Sequence, residues 1–177
     1  YVKRGMKPIV EFDFYPDGFS KESSRNGNDE GFESHSGTPV SWDMWQNLLD
    51  SFMQNLVNEF GIEELKTWYF EVWNEPDGWK DEDLPDFYRL YDVFASTVKS
   101  YHPDFKVGGP ACYNLWFMKE FLDHVVYGTN YVSGKTGSPI DFISHHIYGL
   151  SGSWLNPAPE IWPVVSKFTS EMLWMQR

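Results

Sequence analysis

The chain has 177 residues, 41% apolar and 19% aromatic, enough to build one domain with a substantial core. Twenty-six acidic residues against fourteen basic ones give a net charge of −12, which repels phosphate backbones and anionic headgroups; nucleic acid and membrane surfaces are set aside as partners, and a neutral ligand fits better. Cys112 is the single cysteine, so no internal disulfide framework exists, and no apolar run approaches the roughly eighteen residues that a membrane span needs.

In chain order, residues 8–14 (Pro-Ile-Val-Glu-Phe-Asp-Phe) read as a buried strand in which period-two alternation puts Glu11 and Asp13 on one face. Two carboxylates sharing a barrel interior repel each other and need hydrogen-bond partners or a functional use. Residues 15–41 are rich in Gly, Ser, Asn and Asp without periodicity, and form a long loop expected to wall a pocket. Ser41 then caps a helix with apolar residues at Trp42, Trp45, Leu49, Phe52, Leu56 and Phe60, closed by Gly61.

The next stretch, Trp68-Tyr69-Phe70-Glu71-Val72-Trp73-Asn74-Glu75-Pro76-Asp77, is the one the rest of the chain is organised to hold. Aromatic or β-branched residues fill five of its first six places, and Asn-Glu-Pro-Asp ends the strand in turn chemistry. Glu75 thus falls at the carboxyl end of a strand, where α/β barrels place catalytic groups, and aromatic neighbours would raise its pKa by desolvation, as suits a general acid. Capping of the turn is the structural alternative for Glu75.

A second helix over residues 84–100 carries Phe87, Tyr91, Phe94, Val98 and Tyr101 as a core-facing stripe, with Pro103 beyond its end. Lys106-Val107-Gly108-Gly109-Pro110-Ala111 reads as a short strand ending in a glycine turn; without phosphate-cradle spacing, the glycines mark close backbone approach. A third helix covers Leu115–Tyr127 and stops at Gly128. In the fourth strand, residues 140–148, alternation places Ser144, His146 and Tyr148 on one face, expected to be the interior, and Ile143, His145 and Ile147 on the other. A final helical pattern runs over residues 159–174. Cys112 reads as a small buried hydrophobe.

The order β-α-β-α-β-α-β-α implies parallel strands and right-handed crossovers: an α/β fold made of about four units, half of a (β/α)8 barrel. The glycine-rich loop of a doubly wound sheet is missing after the first strand. The chain starts at Tyr1 without Met and reads as cut from a longer protein, residues 1–177 forming a single barrel piece, so no compartment can be read from it.

With these elements placed, the chain resembles glycoside hydrolase family 39, the β-xylosidases and α-L-iduronidases of the retaining (β/α)8 glycosidases. The likeness rests on Gly5-Met6-Lys7-Pro8-Ile9-Val10-Glu11, on the helix Trp42–Phe60 with Gly61-Ile62-Glu63-Glu64-Leu65, and on Trp68-Tyr69-Phe70-Glu71-Val72-Trp73-Asn74-Glu75-Pro76. Gly108-Gly109-Pro110-Ala111 and Asp141-Phe142-Ile143-Ser144-His145-His146-Ile147-Tyr148 complete it. It implies that the chain covers barrel strands three to six, and that Glu75 is the general acid/base. It further implies that Asn74 binds the sugar 2-hydroxyl, His146 a sugar hydroxyl, and Tyr148 touches the nucleophile, whereas His145 is packed structurally. Asn74 and Glu75 reach one pocket only if the strand twists out of strict alternation there.

The family's nucleophile is a Glu ending strand seven, beyond Arg177; Glu160 and Glu171 lie in or beside a helix and do not replace it. The chain alone is therefore expected to be inert, its parent a β-xylosidase-like enzyme acting on a neutral carbohydrate, with no cofactor and no metal. Pairing of copies through exposed sheet edges is a further expectation. Two other classes remain: a non-catalytic carbohydrate-binding module on a barrel remnant, and a metal-dependent hydrolase using His145 and His146, which adjacent positions on a strand send to opposite faces.

Overall fold

A computed structural model describes residues 1–146 of the chain, apart from 14, 17, 21–36 and 80. Tyr148, Ile147, Glu160, Glu171, the helix expected over residues 159–174 and most of the long loop lie outside the described residues. The described elements are β1 (Ile9–Phe12), α1 (Trp42–Phe60), α2 (Ile62–Leu65), β2 (Tyr69–Val72), α3 (Leu84–Tyr101), β3 (Lys106–Cys112), α4 (Leu115–Tyr127) and β4 (Phe142–His145). The strands form one sheet in the order β1-β2-β3-β4, all parallel. Each strand lies beside its predecessor with no reversal of order, so among the described residues there is no switch point of the kind a doubly wound sheet needs.

Local chemistry explains the helix limits. Ser41 Oγ accepts the Met44 N–H at 3.3 Å, and Gly61, at φ 76°, donates its N–H to Val57 O at the other end. The buried face of α1 runs Trp45, Leu49, Met53 instead of through Phe52: steps of four keep one stripe on α3, and Phe52, 41% exposed, leans edge-on to Phe12. The short helix α2 was not foreseen; Gly61 both ends α1 and starts it. Along α3, Phe87, Tyr91, Phe94 and Val98 are fully buried, as the periodicity predicts. Burying each such side chain stabilises the fold by about 1.5–3 kcal/mol.

The sheet departs from expectation at β3. Gly108 and Gly109 sit inside the strand, which continues through Pro110 to Cys112; they do not form a closing turn. Close approach is nevertheless the reason for glycine: a Cβ at Gly108 would lie 2.3 Å from the Phe142 carbonyl oxygen. The register shifts between Gly109 and Cys112, where Ala111 adopts φ 50°. β1 and β2 are shorter than the predicted strands, and β4 begins two residues late.

One polar cluster ties the helical layer together. Asp92 of α3, fully buried, accepts from the Tyr131 N–H at 2.8 Å and the Ser138 hydroxyl, and both of its oxygens lie 3.2 Å from His124 Nε2 of α4. Asp92 thereby pins the segment between α4 and β4 to α3.

Candidate active site

The site begins below the mouth of the sheet. A series of ring contacts, Trp45–Tyr15–Trp73–Trp79–Phe87, has centroid separations of 5.5, 4.9, 5.0 and 5.8 Å; all are edge-to-face except the tilted Tyr15–Trp73 pair, and Trp73 directly follows β2. Tyr15, the first residue of the long loop, is therefore core. Trp73 is fully buried and takes φ 70°, and Glu75 takes φ 52°. Left-handed backbone is unfavourable for such residues by about 1–3 kcal/mol each, so their surroundings must impose it. These two dihedrals break the alternation of β2 at the very place where Asn74 and Glu75, both half-buried, follow one another.

Glu75 does not cap its turn through the side chain. Its carbonyl accepts the Gly78 N–H that opens a single 3-10 turn, its N–H donates to Ala111 O at 3.0 Å, and its carboxylate reaches away to β4. There Glu75 Oε1 lies 2.9 Å from His146 Nδ1, the two side chains being 25% and 32% exposed. An imidazole thus joins the aromatic neighbours expected around Glu75. His146 is itself fixed by its N–H, which donates to Cys112 O, and Ser144 Oγ on the same face of β4 accepts the Ala111 N–H. His145, pointing the other way, has Nδ1 2.8 Å from the Cys112 carbonyl. Of the four residues singled out, Glu75 and His146 are brought into contact, Asn74 precedes Glu75 in the chain, and Tyr148 lies outside the described residues.

Three acidic groups near this pair went unrecognised or only half recognised. Glu11 and Glu71 are register partners on β1 and β2, so their side chains share the interior face. Burial, the Asp13 charge and a hydrogen bond and charge from Glu71 push the Glu11 carboxyl up to about 7, with His146 opposing. Alternation across two paired strands could have found Glu71. Asp77, 8% exposed, accepts the N–H groups of Tyr113 and Asn114 at 3.1 and 2.8 Å. Burial raises its pKa; those hydrogen bonds oppose the rise and the Glu75 charge adds to it. No sequence pattern announces that contact, because it joins positions 36 and 37 residues apart. Cys112 is fully buried, and burial with the Asp77 and Glu75 charges pushes its thiol up to about 12. Among the described residues no group of three or more His, Cys, Asp or Glu side chains is arranged to hold a metal ion, and no helix is long and apolar enough to cross a membrane.

A parallel α/β sheet of barrel order, with a carboxylate and an imidazole paired at the carboxyl ends of its strands, defines the class of (β/α)8 enzymes that build their sites at that end. The sequence profile of the family described as "Glycosyl hydrolases family 39" matches residues 1–158, and the chain belongs to that family of glycosidases. It is 31% identical over 156 residues to a β-xylosidase of Geobacillus stearothermophilus, a match spanning 84% of this chain and 28% of that one. An α-L-iduronidase of Mus musculus is 27% identical over 62% of the chain and 19% of its own length. Among solved structures, a monomeric β-xylosidase from Caulobacter crescentus CB15 superposes with a TM-score of 0.70 at 31% identity, over 97% of this chain and 35% of that one. The family 39 enzyme of Xanthomonas axonopodis pv. citri gives 0.70 at 27% identity. The chain carries four parallel strands of the barrel and spans between 19% and 35% of the length of these relatives.

Proposed function

We propose that the chain carries the acid/base half of a retaining β-xylosidase-like site, with Glu75 as general acid and base. The observation that carries this reading is the 2.9 Å contact between Glu75 and His146 at the strand mouth, with the Glu75 backbone bonded to β3. When His146 Nδ1–H donates to Oε1, the carboxyl rotamer is set and Oε2 is the oxygen that holds the proton. That proton passes to the glycosidic oxygen as the bond to the anomeric carbon breaks; the resulting carboxylate then takes a proton from the water that releases the sugar. Asn74 binds the 2-hydroxyl and His146 takes a sugar hydroxyl through Nε2. The nucleophile stands about 5–5.5 Å from the acid in retaining enzymes. The 177 residues alone are expected to give no turnover. Xylose is favoured over a uronate because the net charge of −12 repels an anionic sugar.

The test is incubation of the chain with aryl β-xylosides together with binding of xylo-oligosaccharides. Binding without turnover, weakened by Glu75→Gln and His146→Ala, is expected. Turnover abolished by Glu75→Gln would refute inertness while keeping the role of Glu75. Binding indifferent to Glu75→Ala would instead make the chain a carbohydrate-binding module. Pairing of copies through the edges of β1 and β4 would bury Ile9 and Ile143, now 66% and 49% exposed; a monomeric mass in light scattering would end that part of the proposal.

A further inference from the structure

Asp77 lies two residues beyond Glu75, inside the 3-10 turn Pro76–Gly78, and is almost completely buried. Its Oδ2 accepts two successive backbone N–H groups, those of Tyr113 and Asn114, at the start of α4. Asn114 occupies the N-cap position of that helix and makes no side-chain cap hydrogen bond; Asp77 caps the helix start in another way, by taking the N–H of the N-cap residue itself and of the residue before it, not the N2 and N3 donors that an N-cap side chain accepts. A second link runs the other way between the same segments, from the Glu75 N–H to Ala111 O. The turn bearing Glu75 and the junction between β3 and α4 are therefore laced together on both sides of Glu75, and the left-handed φ of 52° cannot relax unless one lacing opens.

We infer that Asp77 is a positioning residue for Glu75: by capping α4 from the neighbouring loop, it locks the left-handed turn that aims the Glu75 carboxylate at His146. The inference rests on the reading of Glu75 as the acid/base. Asp77 touches neither sugar nor reacting atom; it acts through the backbone, and what it secures is the direction in which the Glu75 side chain leaves the chain. Burial of the cap keeps water from competing for the two N–H groups.

The test uses the 177-residue chain and the imidazole ¹⁵N resonances of His146, which report its hydrogen bond with Glu75 without any sugar. Glu75→Ala supplies the spectrum of the broken contact. Asp77→Ala is expected to move the His146 resonances most of the way to that reference, and Asp77→Asn, whose amide oxygen can replace Oδ2 as acceptor, to leave them near wild type. A helix cap with no positioning role would lower the unfolding midpoint and leave the His146 spectrum of the folded protein unchanged. Resonances that stay at wild type in Asp77→Ala, or that move equally in both variants, overturn the inference. Should Asp77→Ala fail to fold, Asp77→Ser, whose hydroxyl is too short to hold both N–H groups, carries the same two outcomes. A wild-type chain that binds no xyloside would sink the xylosidase-like reading and leave this measurement standing.

Discussion

Glu11→Gln is the perturbation with the clearest sign. The Glu11 carboxyl, facing Glu71, Asp13 and His146, is raised from 4.5 to about 7, so between those values the folded chain holds a proton that the unfolded chain releases. Stability from the protonated form is complete below about 4.5 and is lost as pH rises towards 7. At about 1.4 kcal/mol per unit the full shift would correspond to about 3–4 kcal/mol; Glu11 is exposed, and solvent screening reduces this to about 1–2 kcal/mol. Glutamine keeps the shape and can donate to Glu71 without titrating. Urea unfolding of both proteins should therefore give similar stabilities near about pH 5, and a variant more stable by about 1–2 kcal/mol near pH 8. Parallel pH profiles for the two proteins, or a wild type that gains on the variant as pH rises, would refute the reasoning.

Asp92→Ala leaves His124, Ser138 and the Tyr131 N–H without their buried acceptor, and should lower stability by about 3–5 kcal/mol in urea unfolding; a loss under about 1 kcal/mol would show that the cluster is dispensable. Gly108→Ala forces a methyl group against the Phe142 carbonyl, so β3 and β4 must part, and amide exchange of the Val107–Gly109 region should rise sharply relative to α1; unchanged protection there would contradict the packing. The Cys112 thiol, buried and raised to about 12, should resist a disulfide reagent in native protein at mildly alkaline pH and react at once in urea; equal rates in both states would disprove its burial.

The long helices α1, α3 and α4 were legible from short-range periodicity, and the parallel order from the alternation of strands and helices: Phe87, Tyr91, Phe94 and Val98 repeat at helical spacing and all are buried. Glu75 was legible as a strand-end carboxylate. The Asn74–Glu75 step was legible only as a condition, that alternation must break, and the left-handed dihedrals at Trp73 and Glu75 meet it. Partners set by tertiary approach were not legible. Asp77 meets the start of α4 because the sheet brings β2 and β3 side by side, and Glu11 meets Glu71 because register aligns them; neither residue has a local signature. The in-strand glycines of β3 were misread as a turn because Gly-Gly-Pro has that composition, whereas here glycine answers to the nearness of Phe142.

Trp73, Glu75 and Ala111 all hold backbone angles that glycine would adopt without penalty, yet each keeps a side chain. Ala111 is the one whose side chain is least needed, so a screen for heat resistance should find Ala111→Gly early. Its gain would come with slack at the carbonyl on which Glu75 leans, which makes the mouth of the sheet the region where thermal hardening and aim pull in opposite directions.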